Sequence, residues 1–244
     1  MKKYQLTWAL CLTLLVSSGF VVSHPTTGVA QEPDQDAIAL QQQALPIVEY
    51  DAPAVFPTPA IRQSRSAKYN DPDGGTLAEE WENDTGSRHT SSDIIVGLAA
   101  LPVRSSDAIV VGRVTTAAAY LSADKKNVYS EYQVTVSRIF KNTSPIAIQI
   151  GGDIAAERPI GAVRLPKGDV VYHTWEYMGV PKVNTKYVLF LRAAPDGTDF
   201  ILITGYEITN GVVTALDGNG QFGAKRYHGV SESILTSDLD VATK

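Results

Sequence analysis

The side chains with the most chemical reach in this sequence lie between Asp153 and Glu176. Asp153, Glu157, Asp169 and Glu176 are the raw material for hydrolysis by a carboxyl acid and a carboxylate base. His173 and Glu176 also form an H-x-x-E pair beside Trp175. A zinc hydrolase needs at least a third ligand and an activating base, most often with two histidines on one helix. His89 and His228 fall in segments expected to be mobile, so His173 reads as a surface histidine and no metal site is expected. Tyr172, Trp175 and Tyr177 crowd three rings into six residues. They either cap one end of a β-domain or form an exposed platform for a sugar or a protein partner.

Other motifs dissolve on inspection. Asp71-Pro-Asp-Gly74 with Glu80 has the middle and end of a calcium loop, but Tyr69 stands where the first carboxylate belongs. Gly218-Asn-Gly-Gln-Phe-Gly223 matches the dinucleotide fingerprint letter for letter. That chemistry needs a following helix and a second strand ending in an acidic residue, and too little chain follows. It reads as a glycine-rich loop. No G-x-S-x-G elbow, P-loop or HExxH helix is present. No catalytic residue and no cofactor is assigned from sequence.

Charge divides the chain. Residues 31–91 carry 4 basic and 11 acidic side chains, whereas residues 92–222 carry 12 of each. The net acidity therefore belongs to a leader, and the neutral remainder offers no broad positive field to nucleic acid. Residues 1–30 read as a secretory signal, with Lys2 and Lys3 before an apolar run from Leu6 to Val22. Ser17, Ser18 and Gly19 shorten its strongly apolar part below the ~20 residues of a spanning helix. Cleavage between residues 23 and 31 is expected, giving a secreted or periplasmic protein without stable membrane insertion. Cys11, the only cysteine, would leave with the signal. Residues 31–90 are rich in proline, with apolar residues too scattered to bury a face, and are expected to form a disordered acidic leader.

The folded domain is expected over residues 91–222, with a C-terminal tail at 223–244 that makes a turn or two of helix from about Ser231. Ser91, Ser92 and Asp93 cap a predicted short helix through Leu101. Ala108–Val114 is a nearly continuous apolar strand, as when both faces are covered. Tyr129–Phe140 alternates cleanly, and the polar Ser122–Asn127 loop makes the two antiparallel neighbours. Ile146–Ile150 is read as a third strand ended by Gly151-Gly152-Asp153, and the stretch to Asn184 as irregular. Tyr187–Arg192 and Phe200–Thr204 pair across a Pro195-Asp-Gly197 turn. A last hairpin turns at Asn210-Gly211. Val110, Val134, Leu189 and Phe190 are the predicted core. The result is a mainly β, small OB-like antiparallel barrel with a short N-terminal helix; a β-sandwich is the alternative that strand counting leaves open.

Three of these runs occur in a familiar order: Ser106–Val114, Tyr132–Lys141 and Lys186–Leu191. They resemble the netrin-like module of the tissue inhibitors of metalloproteinases, an OB-fold barrel, and a class of exported bacterial proteins of unknown role. The resemblance covers about residues 92–216 and implies fold. Those inhibitors chelate the protease zinc through an amino-terminal cysteine, and nothing equivalent remains here after cleavage, so no functional residue is carried over. The leading expectation is a non-catalytic binding module for an unknown protein or polysaccharide. A carboxylate hydrolase and an inhibitor-like protein are the alternatives.

Overall fold

The computed structural model describes residues 44–51, 59–70, 88–90, 97–175, 177–218 and 222–244. The predicted signal, the Asp71–Glu80 motif, Glu176, residues 91–96 of the predicted helix and the middle of the 218–223 glycine run lie outside them. In chain order the elements are β1 (Ile47–Glu49), α1 (Pro59–Ala67), β2 (Arg88–Thr90), β3 (Ala108–Leu121), β4 (Val128–Asn142), β5 (Asp153–Arg158), β6 (Gly161–Arg164), β7 (Val170–Trp175), β8 (Lys186–Ala193), β9 (Phe200–Thr209) and β10 (Val212–Ala215). A short 3-10 turn over Phe222–Arg226 and the helix α2 (Glu232–Ala242) complete the chain.

Backbone pairing closes a ring. β3 pairs with β4, β4 with β5, β5 with β9, β9 with β8, and β8 returns to β3. This closure decides for a barrel over a sandwich. One junction, β5–β9, is parallel, a correction to the all-antiparallel expectation. The reason is arithmetic: an odd ring cannot alternate direction at every junction. Three register irregularities between β3 and β4 let these long strands coil around the barrel. The Asn210-Gly211 turn is as expected, with φ of 53° and 75° joining Thr209 to its partner Val212.

Strand alternation sorts the apolar residues into two clusters. Val110, Val114, Tyr132, Val134, Val136, Leu189 and Leu191 fill the barrel. Ile109, Val111, Val188, Phe190 and Tyr206 face outward, where Leu235 and Leu239 of α2 cover them. The apolar run of β3 is thus buried on both faces. The four predicted core residues are all buried.

Several expectations need correction. Ile146–Ile150 is not a strand; Ile146 and Ile148 lean on the barrel core while Ile150 points to solvent. The third barrel strand is β5, beginning at Asp153, where the sequence was expected to turn irregular. Beyond it, β6 and β7 form an antiparallel hairpin in a second sheet, with β1 added in parallel to β6 and β2 to β7. The presumed tail holds α2, three turns long rather than one or two. Within the expected disordered leader, the described segments 44–51, 59–70 and 88–90 carry β1, α1 and β2. Leu45 is buried in the second sheet's cluster, and the seat of α1 is charged. Neither contact has an apolar period to announce it.

Candidate functional site

Helix α1, Pro-Ala-Ile-Arg-Gln-Ser-Arg-Ser-Ala, begins with proline, whose fixed φ and missing N–H suit a first helical position. Nothing else in the segment favours a stable isolated helix, since nine polar-rich residues cannot repay nucleation. Its amphipathicity is inverted. Arg62 and Ser66, one turn apart, are 3% and 6% exposed, while Ile61 is 39% exposed. Charge, not apolar area, seats this helix.

The seat is the outer wall of the barrel where β4 meets β5. Glu131 and Glu157 are direct cross-strand partners, a like-charge pairing that is unfavourable alone. Asp199, just before β9, and Asp196, in the preceding turn, complete four carboxylates. Arg62 donates to Glu131 at 3.0 Å, and Arg65 to Glu131 at 3.1 Å. Arg65 Nε lies 2.8 Å from Asp199 Oδ2. Lys68 Nζ lies 2.8 Å from Glu157 and 3.0 Å from Asp199. The Tyr69 hydroxyl donates to Glu157 at 3.0 Å, and Ser64 to Asp196 at 3.0 Å. Rings finish the fit: Tyr69 stacks on Tyr129 with centroids 4.3 Å apart, and the Arg62 guanidinium lies 3.5 Å over Tyr120.

Three cations therefore face four carboxylates. Burial, then the hydrogen bond and negative charge of Asp199, push Glu157 up to about 8 against the opposing pull of Lys68. Burial alone would lower Lys68, but Glu157 and Asp199 outweigh it and raise it, so the ammonium stays charged. Asp196 resists its partial burial, and the Thr198 N–H and Lys68 hold it below the usual carboxylate range. Burial, with Glu157 beside it, raises Tyr69 far above an ordinary phenol, so it stays a donor.

A pH dependence follows. Folding raises Glu157 from its ordinary 4.5 to about 8, so the folded state binds the carboxyl proton more tightly. Its stabilisation is complete below the ordinary value and is lost as pH rises through about 8. Asp196 acts oppositely, contributing above its ordinary 3.8 and losing that contribution on acidification. The urea midpoint is expected to fall between pH ~5 and ~8.5, and Glu157→Gln to flatten that slope. Equal slopes in both proteins would place the titration elsewhere.

A second buried ion pair lies inside the barrel. Arg158 continues the inward row of Ile154 and Ala156, and its two terminal nitrogens each donate to Asp217 at 2.7 Å. Arg158 also donates to the Gly179 carbonyl at 2.6 Å, and the Gly179 N–H donates to Asp217 at 2.7 Å. Arg158 and Asp217 are 0% and 2% exposed. A fork this closed fastens three chain segments and leaves no room for a ligand.

The nominated residues are distributed otherwise. Of the carboxylates proposed for hydrolysis, Glu157 enters the acidic seat, while Asp153 is exposed at the start of β5 and Asp169 sits in an exposed turn. They do not share a cleft. His173 is a buried residue of β7, not a surface one, because β7 is a strand between β6 and β2. Tyr172, Trp175 and Tyr177 are half-buried against the cluster of Leu45, Ile160, Ala162, Met178 and Val180. Tyr177 lies past the strand end at φ 63°, so it does not continue the strand's alternation. Among the described residues, no group of three or more His, Cys, Asp or Glu side chains is placed to hold a metal ion. The sequence matches no protein-family model and no curated protein.

Proposed function

We propose that this chain is an exported, non-catalytic binding module whose barrel wall recognises a cationic helical segment. The observation that carries the reading is the inverted helix α1, which turns its arginines inward and its isoleucine outward. Buried ion pairs contribute little net stability, because desolvation offsets their attraction; what they supply is position and selectivity. Four carboxylates fixed on β4, β5 and the β8–β9 turn define where three cations must sit. Export is supported by the composition of residues 1–30, and the netrin-like resemblance by the order of the barrel strands. An inhibitor-like role has no zinc-chelating residue to support it.

The test is local. In the full chain, Arg65→Glu adds a fifth carboxylate to the seat. Amides of residues 59–70 should then exchange at least about tenfold faster, the ratio for ~1.4 kcal/mol of lost interaction, while those of β3 and β4 keep their protection. Unchanged protection of α1 would show that the carboxylates do not hold it.

A second reading, an acid–base hydrolase, rests on the raised Glu157 beside Asp199. Both carboxyls are closed to solvent and engaged by Lys68 and Arg65, which supports binding over turnover. Hydrolysis of glycosides or esters by the full chain, abolished in Glu157→Gln, would reverse the preference.

A further inference from the structure

We infer that α1 is a displaceable occupant of the acidic seat, and that the seat takes, in trans, basic helical segments with the spacing Arg62-x-x-Arg65-x-x-Lys68-Tyr69. This inference rests on the binding reading above and names the ligand class for it. Four observations support it. The contact is made by paired charges and two ring contacts, with the one large apolar residue of α1 turned to solvent. Such an interface resembles a transient protein–protein contact more than a domain core.

The seat is also fully occupied. Glu157 is 0% and Asp199 1% exposed, and Glu157 Oε1 faces Arg65 Nε at 3.8 Å. A ligand reaches these groups only by replacing α1. The spacing is selective: Arg62 and Arg65 lie three residues apart on α1, and Lys68 and Tyr69 follow in the turn that ends it. Their acceptors interlock: Arg62 and Arg65 share Glu131, Arg65 and Lys68 share Asp199, and Lys68 and Tyr69 share Glu157. Finally, α1 belongs to the same chain as its seat, following β1 and preceding β2, both of which pair in the second sheet. A ligand carried on the same chain is presented at an effective concentration in the millimolar range, so a free peptide competes poorly until α1 is weakened. The helix therefore sets the threshold for any partner.

The experiment uses the full chain and a fluorescein-labelled peptide of residues 59–70, read by fluorescence anisotropy. In Arg65→Glu/Lys68→Glu the chain's own helix is repelled, and the peptide should bind at least ~100-fold more tightly than to the wild type. A scrambled peptide of the same composition should not bind. Adding Glu157→Gln and Asp199→Asn to the opened chain should remove binding. Equal binding to wild type and opened chain would overturn the competitor inference while leaving the seat intact. No binding to an opened chain that keeps its near-ultraviolet circular dichroism would overturn the seat reading itself. If the double reversal loses that signal, Arg65→Ala and Lys68→Ala carry the same comparison, and the same outcomes decide.

Discussion

Asp217→Ala is expected to destabilise the domain by about 3–5 kcal/mol, enough to unfold much of it at moderate temperature. Removing Asp217 leaves the Arg158 guanidinium charged in a place where water does not reach, and takes the acceptor of the Gly179 N–H as well. Backbone cannot shift to compensate. A Cβ on Gly179 would stand 1.8 Å from the Leu216 carbonyl oxygen, so the 179 and 216 segments are already at closest approach. Asp217→Asn keeps an acceptor and a similar shape and should lose less. Replacing both partners by apolar residues, Arg158→Met with Asp217→Leu, should recover part of the loss, because the unpaired charge goes with its partner. Urea unfolding reads all three. A double variant no better than Asp217→Ala would mean the loss comes from packing and not from the orphaned charge.

Phe190→Ala should cost about 3–5 kcal/mol, the range for a buried aromatic side chain truncated to a methyl. Phe190 is fully buried on the outer wall, edge-on to Tyr206 at 6.2 Å, and Tyr206 in turn meets Tyr227 at 5.8 Å. The cavity would open beneath α2, so the amides of Leu235 and Leu239 should lose protection first. Val134→Ala removes less volume from the barrel interior and should leave α2 in place. If thermal unfolding of both variants matched the parent, the assignment of inner and outer faces would be wrong.

The strands that close the barrel were legible because burial leaves either an alternating or a short continuous apolar run. Ala108–Val114, Tyr132–Val136 and Tyr187–Arg192 could only be strands, and the Asn210-Gly211 turn supplied its own positive φ. Ile146–Ile150 misled because its alternation is real, yet Pro145 and the glycines after it leave it outside the ladder. β5 hid for the opposite reason. Its residues, Asp-Ile-Ala-Ala-Glu-Arg, put Glu157 on the outer face and Arg158 on the inner one, and these two meet opposite charges far away in sequence. The acidic seat was half readable: three of the four basic residues in the acidic leader stand at 62, 65 and 68, a helical spacing. A search for apolar faces passes over such a helix. Its receptor was not readable at all, since Glu131, Glu157 and Asp199 meet only when the barrel closes.

The parallel junction between β5 and β9 has a kinetic consequence. It consists of two residue pairs, Ala156 with Phe200 and Glu157 with Ile201, whereas β3–β4 is a long hairpin closed by a short loop. Hairpins of neighbouring segments close quickly; bringing distant segments together costs more chain entropy before any contact rewards it. The β3–β4 and β8–β9 hairpins should therefore form early and the β5–β9 seam late. Glu157 lies in that seam and Asp199 immediately precedes it, so the carboxylate pair assembles only with the final closure. A folding intermediate with an open seam would be unable to retain α1, and docking of the helix would report completion of the barrel.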